Sequence, residues 1–284
     1  MKSIDIGGIP HAYDLTDFGR SDRTLVFLHG WLLSRRYWQP VVSRLTPEYR
    51  CLCYDLRGFG DSQPRSYPTT DDRGYAPIDY AKDLGELLDR LNINKAWLVG
   101  HSLGGTIALW GAHLFGDRVE GVICVNAGGG IYLKEEFERF RTAGAAIVKI
   151  RPRWLCSIPL LHWLFARSSV ARPVDSSWGR QRSIDFVAAH PAAALGTLLD
   201  STTEAEVHQL PQIVAQLCQP AYFIAGSKDA VMDPKYVRHL ASFHPLFQKG
   251  CENVFEIAEC GHLASIEQPD AVVDRIRTIL SQTD

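Results

Sequence analysis

Ser102 stands in Gly100-His101-Ser102-Leu103-Gly104-Gly105, directly after the apolar run Ala96-Trp97-Leu98-Val99 and ahead of Thr106-Ile107-Ala108-Leu109-Trp110. Read as strand, tight turn and helix, this segment sets a hydroxyl at the apex, and its glycines leave room for a sharp reversal. Such a turn aims Ser102 Oγ at the N-terminus of the next helix, whose free N–H groups and dipole favour developing negative charge. The chemistry proposed is acyl transfer through a serine nucleophile. A purely structural Gly-Ser-Gly turn has the same letters, so the partners that a serine needs must be sought elsewhere.

A serine hydroxyl is a poor nucleophile at neutral pH. It requires a base, and the base requires a group that fixes its tautomer and stabilises its cation. In sheet enzymes with this turn the chain order is Ser, then Asp or Glu, then His, the last two on loops after later strands. Ala221-Tyr222-Phe223-Ile224-Ala225 followed by Gly226-Ser227-Lys228-Asp229 supplies a strand and then a carboxylate. Asn253-Val254-Phe255-Glu256-Ile257 followed by Ala258-Glu259-Cys260-Gly261-His262 supplies a strand and then a histidine. The rival acid, Asp233, precedes Pro234 and reads as a helix N-cap with proline at the first helical position. None of the rival histidines His190, His208, His239 and His244 follows a strand within a glycine loop.

The tetrahedral oxyanion also needs backbone donors. One is expected from the amide of Leu103 and the other from Trp31 in Leu28-His29-Gly30-Trp31, where Gly30 lets the chain turn inward. His29 reads as a group orienting that loop. Asp55 also ends a strand, but it precedes Ser102; with Arg57 it reads as an ion pair bracing the turn Arg57-Gly58-Phe59-Gly60.

These loops need a scaffold. Ser3–Ile6 and His11–Leu15 read as an opening antiparallel pair. Strands Thr24–Leu28, Arg50–Tyr54, Ala96–Val99 and Val119–Val125 then alternate with helices Tyr37–Leu45, Ile78–Leu91 and Leu103–Leu114. Short apolar strands alternating with helices imply an α/β protein with a mostly parallel sheet covered on both faces. The rhythm breaks after Asn126 and resumes with strand Ala221–Ala225, helix Lys235–Phe243, strand Asn253–Ile257 and helix Ala271–Leu280. The expected organisation is a core domain in two parts, residues 1–130 and 208–284, interrupted by a helical cap at 131–207.

The most apolar stretch outside the sheet is Trp154–Phe165, inside that cap. Lys149, Arg151, Arg153 and Arg167 flank it, with Arg172, Arg180 and Arg182 beyond, and Asp175 is the only acid between Lys149 and Arg182. One reading is a packed cap helix with a solvated basic face. The other gives Trp163 and Phe165 to an apolar acyl-binding wall, with a basic rim for an anionic or amphiphilic substrate or for peripheral contact with lipid headgroups.

Taken together, the blocks His29-Gly30-Trp31, Asp55–Ser62, Gly100–Gly105, Gly226–Asp229 and Gly261-His262 resemble the α/β-hydrolase-fold serine hydrolases of esterase and lipase type. The resemblance implies a triad of Ser102, Asp229 and His262, a cap in the inserted segment, and hydrolysis of a small carboxylic ester without a cofactor. Haloalkane dehalogenases and epoxide hydrolases of this family carry Asp where this chain has Ser102. The same elbow and acid–base pair also serve a thioesterase, a lactonase, a carbon–carbon bond hydrolase or a cofactor-free perhydrolase. A ligand receptor retaining the site with slow turnover is the alternative from another class.

Composition is consistent with this. The chain has 284 residues, 46% hydrophobic and 22% charged, enough for one large α/β domain with a cap. A net charge of −2 argues against nucleic acid as a partner. Met1–Gly8 has no signal-peptide pattern, and no apolar run approaches the ~18–20 residues of a membrane span. The cysteines number seven, an odd count without framework spacing, set mostly in strand-like segments, so a reducing cytoplasm is expected. No metal-ligand motif or dinucleotide fingerprint occurs; Cys51 and Cys53 share one face of a strand, where core packing is the default.

Overall fold

A computed structural model describes residues 2–16, 19–64, 73–128 and 134–283. Its strands are β1 (Lys2–Ile6), β2 (Ile9–Leu15), β3 (Thr24–Leu28), β4 (Arg50–Tyr54), β5 (Ala96–His101), β6 (Val119–Val125), β7 (Ala221–Gly226) and β8 (Val254–Ile257). They form one sheet in the order β1-β2-β4-β3-β5-β6-β7-β8. β1, β2 and β4 pair antiparallel, and every pairing from β4 to β8 is parallel.

Every residue of β3, β5 and β7 is buried, as parallel strands covered on both faces require. Alternation divides them between two cores: Leu25 and Phe27 belong to one apolar cluster, Val26 and Leu28 to the other. The helices α1 (Gln39–Leu45), α2 (Pro77–Arg90) and α3 (Leu103–Leu114) follow β3, β4 and β5 in turn. Between β6 and β7 run α4 (Lys134–Lys149), α5 (Pro159–Phe165), α6 (Ser176–Ala188), α7 (Pro191–Ser201) and α8 (Glu204–Gln216). α9 (Pro234–Ala241) and the short α10 (Pro245–Gln248) precede β8, and α11 (Ala264–Glu267) and α12 (Pro269–Ser281) follow it. Side chains of α1 and α12 fill one core, and those of α2, α3, α8 and α9 fill the other.

The chain leaves β3 for β4 on one side and reaches β5 on the other, so strand order reverses between β3 and β5. Ligands bind such open sheets in the crevice outside the strand carboxyl ends at the reversal. His29 follows β3 and Ser102 follows β5, which brings both loops to that crevice.

Two expectations need correction. The boundary at 207 falls inside α8. That helix is continuous because Val207, Leu210, Ile213 and Val214 form one buried face. Trp110 Nε1 of α3 also donates to Glu206 Oε1 at 2.6 Å, tying its first turn to the core. Asp55 and Arg57 do not pair with each other. Asp55 accepts from the Arg35 guanidinium, from Arg35 N at 2.6 Å and from Asp61 N at 2.8 Å. Arg57 donates to Asp83 Oδ2 on α2 at 2.8 Å and to Gly74 O at 2.7 Å. Both charges are buried, and each is neutralised by a neighbouring element rather than along the turn.

Candidate active site

Ser102 has φ 51° and ψ −120°, a conformation L-residues rarely adopt, between the end of β5 and the start of α3. Its N–H donates to Val125 O at 3.0 Å and its carbonyl accepts from Gly105 N at 2.9 Å, which pins the turn from both sides. The flanking glycines answer to close backbone approach. A Cβ on Gly100 would lie 2.1 Å from Gly104 O, and one on Gly104 would lie 2.4 Å from Leu28 O. Leu103 is the first residue of α3, so its N–H is among the donors without an intrahelical acceptor.

The Trp31 loop is held by a buried imidazole. His29 Nδ1 donates to Gly30 O at 2.8 Å, and its Nε2 accepts from Leu56 N at 2.9 Å. Burial lowers the His29 pKa, so the ring stays neutral and supports one donor and one acceptor. The Trp31 indole donates to Ala194 O of α7 at 2.9 Å.

On the other side of the crevice, His262 Nδ1 lies 2.8 Å from Asp229 Oδ2. A carboxylate only accepts, so Nδ1 carries the proton and Nε2 has a free lone pair. Asp229 is buried and saturated. Asn126 Nδ2 donates to Oδ2 at 2.7 Å, and the amides of Val231 and Met232 donate to Oδ1, each at 2.8 Å. Burial opposes ionisation of Asp229, but the pairing with His262 and these hydrogen bonds outweigh it and hold the carboxyl below its ordinary range.

The His262 loop is fixed through its backbone. His101 Nε2 donates to His262 O at 2.7 Å, with the rings 4.9 Å apart. Burial, with the neighbouring His262 ring, pushes the His101 pKa down to about 3, leaving it neutral. Glu267 accepts from Gly261 N at 2.9 Å and from Ala171 and Arg172 N at 2.9 and 2.8 Å, while His262 N donates to Ser169 O at 2.8 Å. The segment after α5 is therefore stitched to the loop that carries His262.

A cavity of about 270 Å³ opens at this point, lined by Trp31, Ser102 and His262 from the core and by Phe165, Arg182 and Phe186 from α5 and α6. Ser102, His262, Trp31 and Phe165 thus meet at one cavity, with Asp229 behind His262 and Leu103 at the helix start. Trp163 does not join them. It is 50% exposed, with the Arg167 guanidinium 4.2 Å above its ring. Residues two apart on a helix lie about 200° apart around its axis, so Trp163 and Phe165 face opposite ways.

Three residues at the site were not singled out from sequence for these contacts. Asn126 directly follows β6 with φ 51°, and an asparagine in the left-handed region at a strand's carboxyl end is a readable signal. His101 precedes the serine but its acceptor lies far along the chain. Arg182 was one basic residue among many in the cap.

Residues 23–269 match the sequence profile of the alpha/beta hydrolase fold family. The chain belongs to that family. 3-Oxoadipate enol-lactonase 1 of Acinetobacter baylyi is 26% identical over 259 residues, covering 88% of this chain and 85% of that protein. Pimeloyl-[acyl-carrier protein] methyl ester esterase of Aliivibrio salmonicida is 25% identical over 262 residues, covering 92% of this chain and 93% of that protein. The fold matches a thermophilic esterase from Thermogutta terrifontis with a TM-score of 0.77 and 22% identity, over 100% of this chain and 99% of that one. The protein is an α/β-fold hydrolase. Among the described residues no helix is long and apolar enough to cross a membrane.

Proposed function

We propose that this hydrolase cleaves small carboxylic esters by two-step acyl transfer. Ser102 Oγ attacks the ester carbonyl while His262 Nε2 takes its proton, and the oxyanion rests on the amides of Leu103 and Trp31. Collapse of the tetrahedral intermediate expels the alcohol, protonated by His262. Water, activated by the same nitrogen, then releases the acid and restores Ser102. Asp229 fixes the tautomer and stabilises the imidazolium. The observation that carries this reading is the 2.8 Å pairing of His262 with a sealed, ionised Asp229 beside the cavity that Ser102 enters. Two relatives named for a lactone and a methyl ester lend support, since a lactone is a cyclic ester.

The segment from α4 to α7 acts as a cap that shapes the acyl pocket through Phe165. Outside the cavity, Ile150, Trp154, Leu160 and Trp163 are exposed beside the exposed Arg153 and Arg167. Exposed apolar and basic side chains of this kind suit peripheral contact with an anionic lipid surface. All seven cysteines are free thiols, which supports a reducing, cytoplasmic setting. The test is steady-state turnover of p-nitrophenyl acetate: many equivalents of p-nitrophenol per chain are expected. Release that stops near one equivalent would favour a receptor or a trapped acyl-enzyme instead.

A further inference from the structure

α6 carries one cation into the cavity that holds Ser102 and His262, and its hydrogen bonding is incomplete. Arg182 Nη1 donates to Phe165 O at 2.5 Å, to Ser168 O at 2.6 Å and to Ser168 Oγ at 2.9 Å. Nε and Nη2 make no hydrogen bond with the described residues, and neither is sealed from solvent. No described carboxylate lies within ion-pair distance of the guanidinium. The acids of its own helix region are committed elsewhere. Asp175 caps α6 by accepting from Ser177 N at 2.8 Å, and Asp185 accepts from Ser34 Oγ and Gln181 Nε2, each at 3.0 Å. The guanidinium also lies over the Phe165 ring, 5.4 Å from its centroid, a cation–π contact.

This arrangement has a chemical shape. Nε–H and one Nη–H form the side-on fork of arginine, two parallel donors whose spacing matches the two oxygens of a carboxylate. Here that edge is the one left free, while the opposite nitrogen anchors the group to backbone carbonyls of the cap. A half-buried cation without a counter-ion is costly, and an anion entering the cavity would relieve that cost. Burial already works against the charge, lowering the Arg182 pKa. The remaining wall is apolar, with Trp31, Leu33, Phe186, Val231 and Leu263.

We propose that Arg182 is the carboxylate subsite of this enzyme, so that its substrates are compact esters or lactones carrying a second, free carboxylate. The ester carbonyl lies at Ser102, a short apolar spacer crosses the cavity, and the carboxylate meets the open Arg182 fork. A volume of about 270 Å³ suits such a short molecule better than a long acyl chain. This inference rests on the ester-hydrolase reading above.

The test compares monomethyl glutarate with methyl pentanoate, equal in chain length and differing in one terminal carboxylate, by kcat/KM at constant pH. The wild type should prefer the hemiester, and in Arg182→Gln the ratio of the two values should fall about 30-fold, the worth of a charged hydrogen-bonded pair. Arg182→Lys, which keeps charge but not the fork, should restore the ratio only in part. Should Arg182→Gln fold poorly, glutarate should still inhibit wild-type p-nitrophenyl acetate hydrolysis more strongly than butyrate does. A wild-type ratio near one, an unchanged ratio in Arg182→Gln, or equal inhibition by the two acids would overturn the subsite. Loss of turnover on p-nitrophenyl acetate itself would instead overturn the ester-hydrolase reading, so the two failures are distinct.

Discussion

Asp229 and Asp233 lie four residues apart and do different work. Asp229 meets His262 and three other donors; Asp233 accepts from Lys235 N at 2.9 Å and caps α9. Asp229→Asn should lower kcat by about 10³–10⁴-fold, because an amide can hold the imidazole in the wrong tautomer. Asp233→Asn should leave kcat near wild type, since asparagine caps a helix equally well. Parallel kinetics on the two variants decide the choice of acid, and equal losses would count against Asp229. At this scale the sequence was most legible where a residue sits on the loop just after a strand, as Asp229 does three residues past β7 and His262 five residues past β8. It was least legible for Arg182, whose role depends on helix phase and on acids that happen to be engaged elsewhere.

Helix α5 shows how an element decides what its residues can reach. Pro159 begins it, and from there Trp163 and Phe165 must diverge. Reading both as pocket residues treated the apolar segment as a single surface, although a helix has two sides. Phe165→Ala should therefore change relative kcat/KM across acetyl to hexanoyl p-nitrophenyl esters, each buried methylene being worth about 0.8 kcal/mol. Trp163→Ala should run parallel to wild type over the same series. A shifted profile for Trp163→Ala and a parallel one for Phe165→Ala would reverse the assignment. α8 was hard to delimit for a related reason. Pro211 lies inside it, where proline ordinarily stops a helix, and only the buried row from Val207 to Val214 shows its continuity. The strands were clearer, since buried parallel strands are short apolar runs bounded by loops.

Across the whole molecule, cap and core meet through a buried carboxyl as well as through apolar contact. Asp185 of α6 accepts from Ser34 Oγ of the loop after β3 at 3.0 Å, and burial pushes its carboxyl up to about 7. A folded-state pKa above the unfolded value of about 3.9 means that the folded protein holds this proton more tightly. The contribution is thus most favourable at low pH, weakens as pH rises from about 4 to 7, and is fully adverse above that. Asp185→Asn removes the titration. It should raise stability at pH 8 by about 2 kcal/mol, part of the ~4 kcal/mol such a displacement can represent, and flatten the dependence of Tm on pH between 5 and 8. An unchanged slope of Tm against pH would show that Asp185 does not set it. Nothing in the sequence marks Asp185, because its burial is created by the cap folding onto a loop some 150 residues earlier in the chain.

The expectations about turnover presume that Ser102 is the nucleophile, and that can be read directly. The protein is treated with a fluorophosphonate and digested, and the adduct is located by mass spectrometry, with Ser102→Ala assayed in parallel on p-nitrophenyl acetate. A single adduct on the peptide bearing Ser102, together with loss of turnover by several orders of magnitude in a folded Ser102→Ala protein, is the predicted result. An adduct on another serine, or full activity in Ser102→Ala, would contradict it.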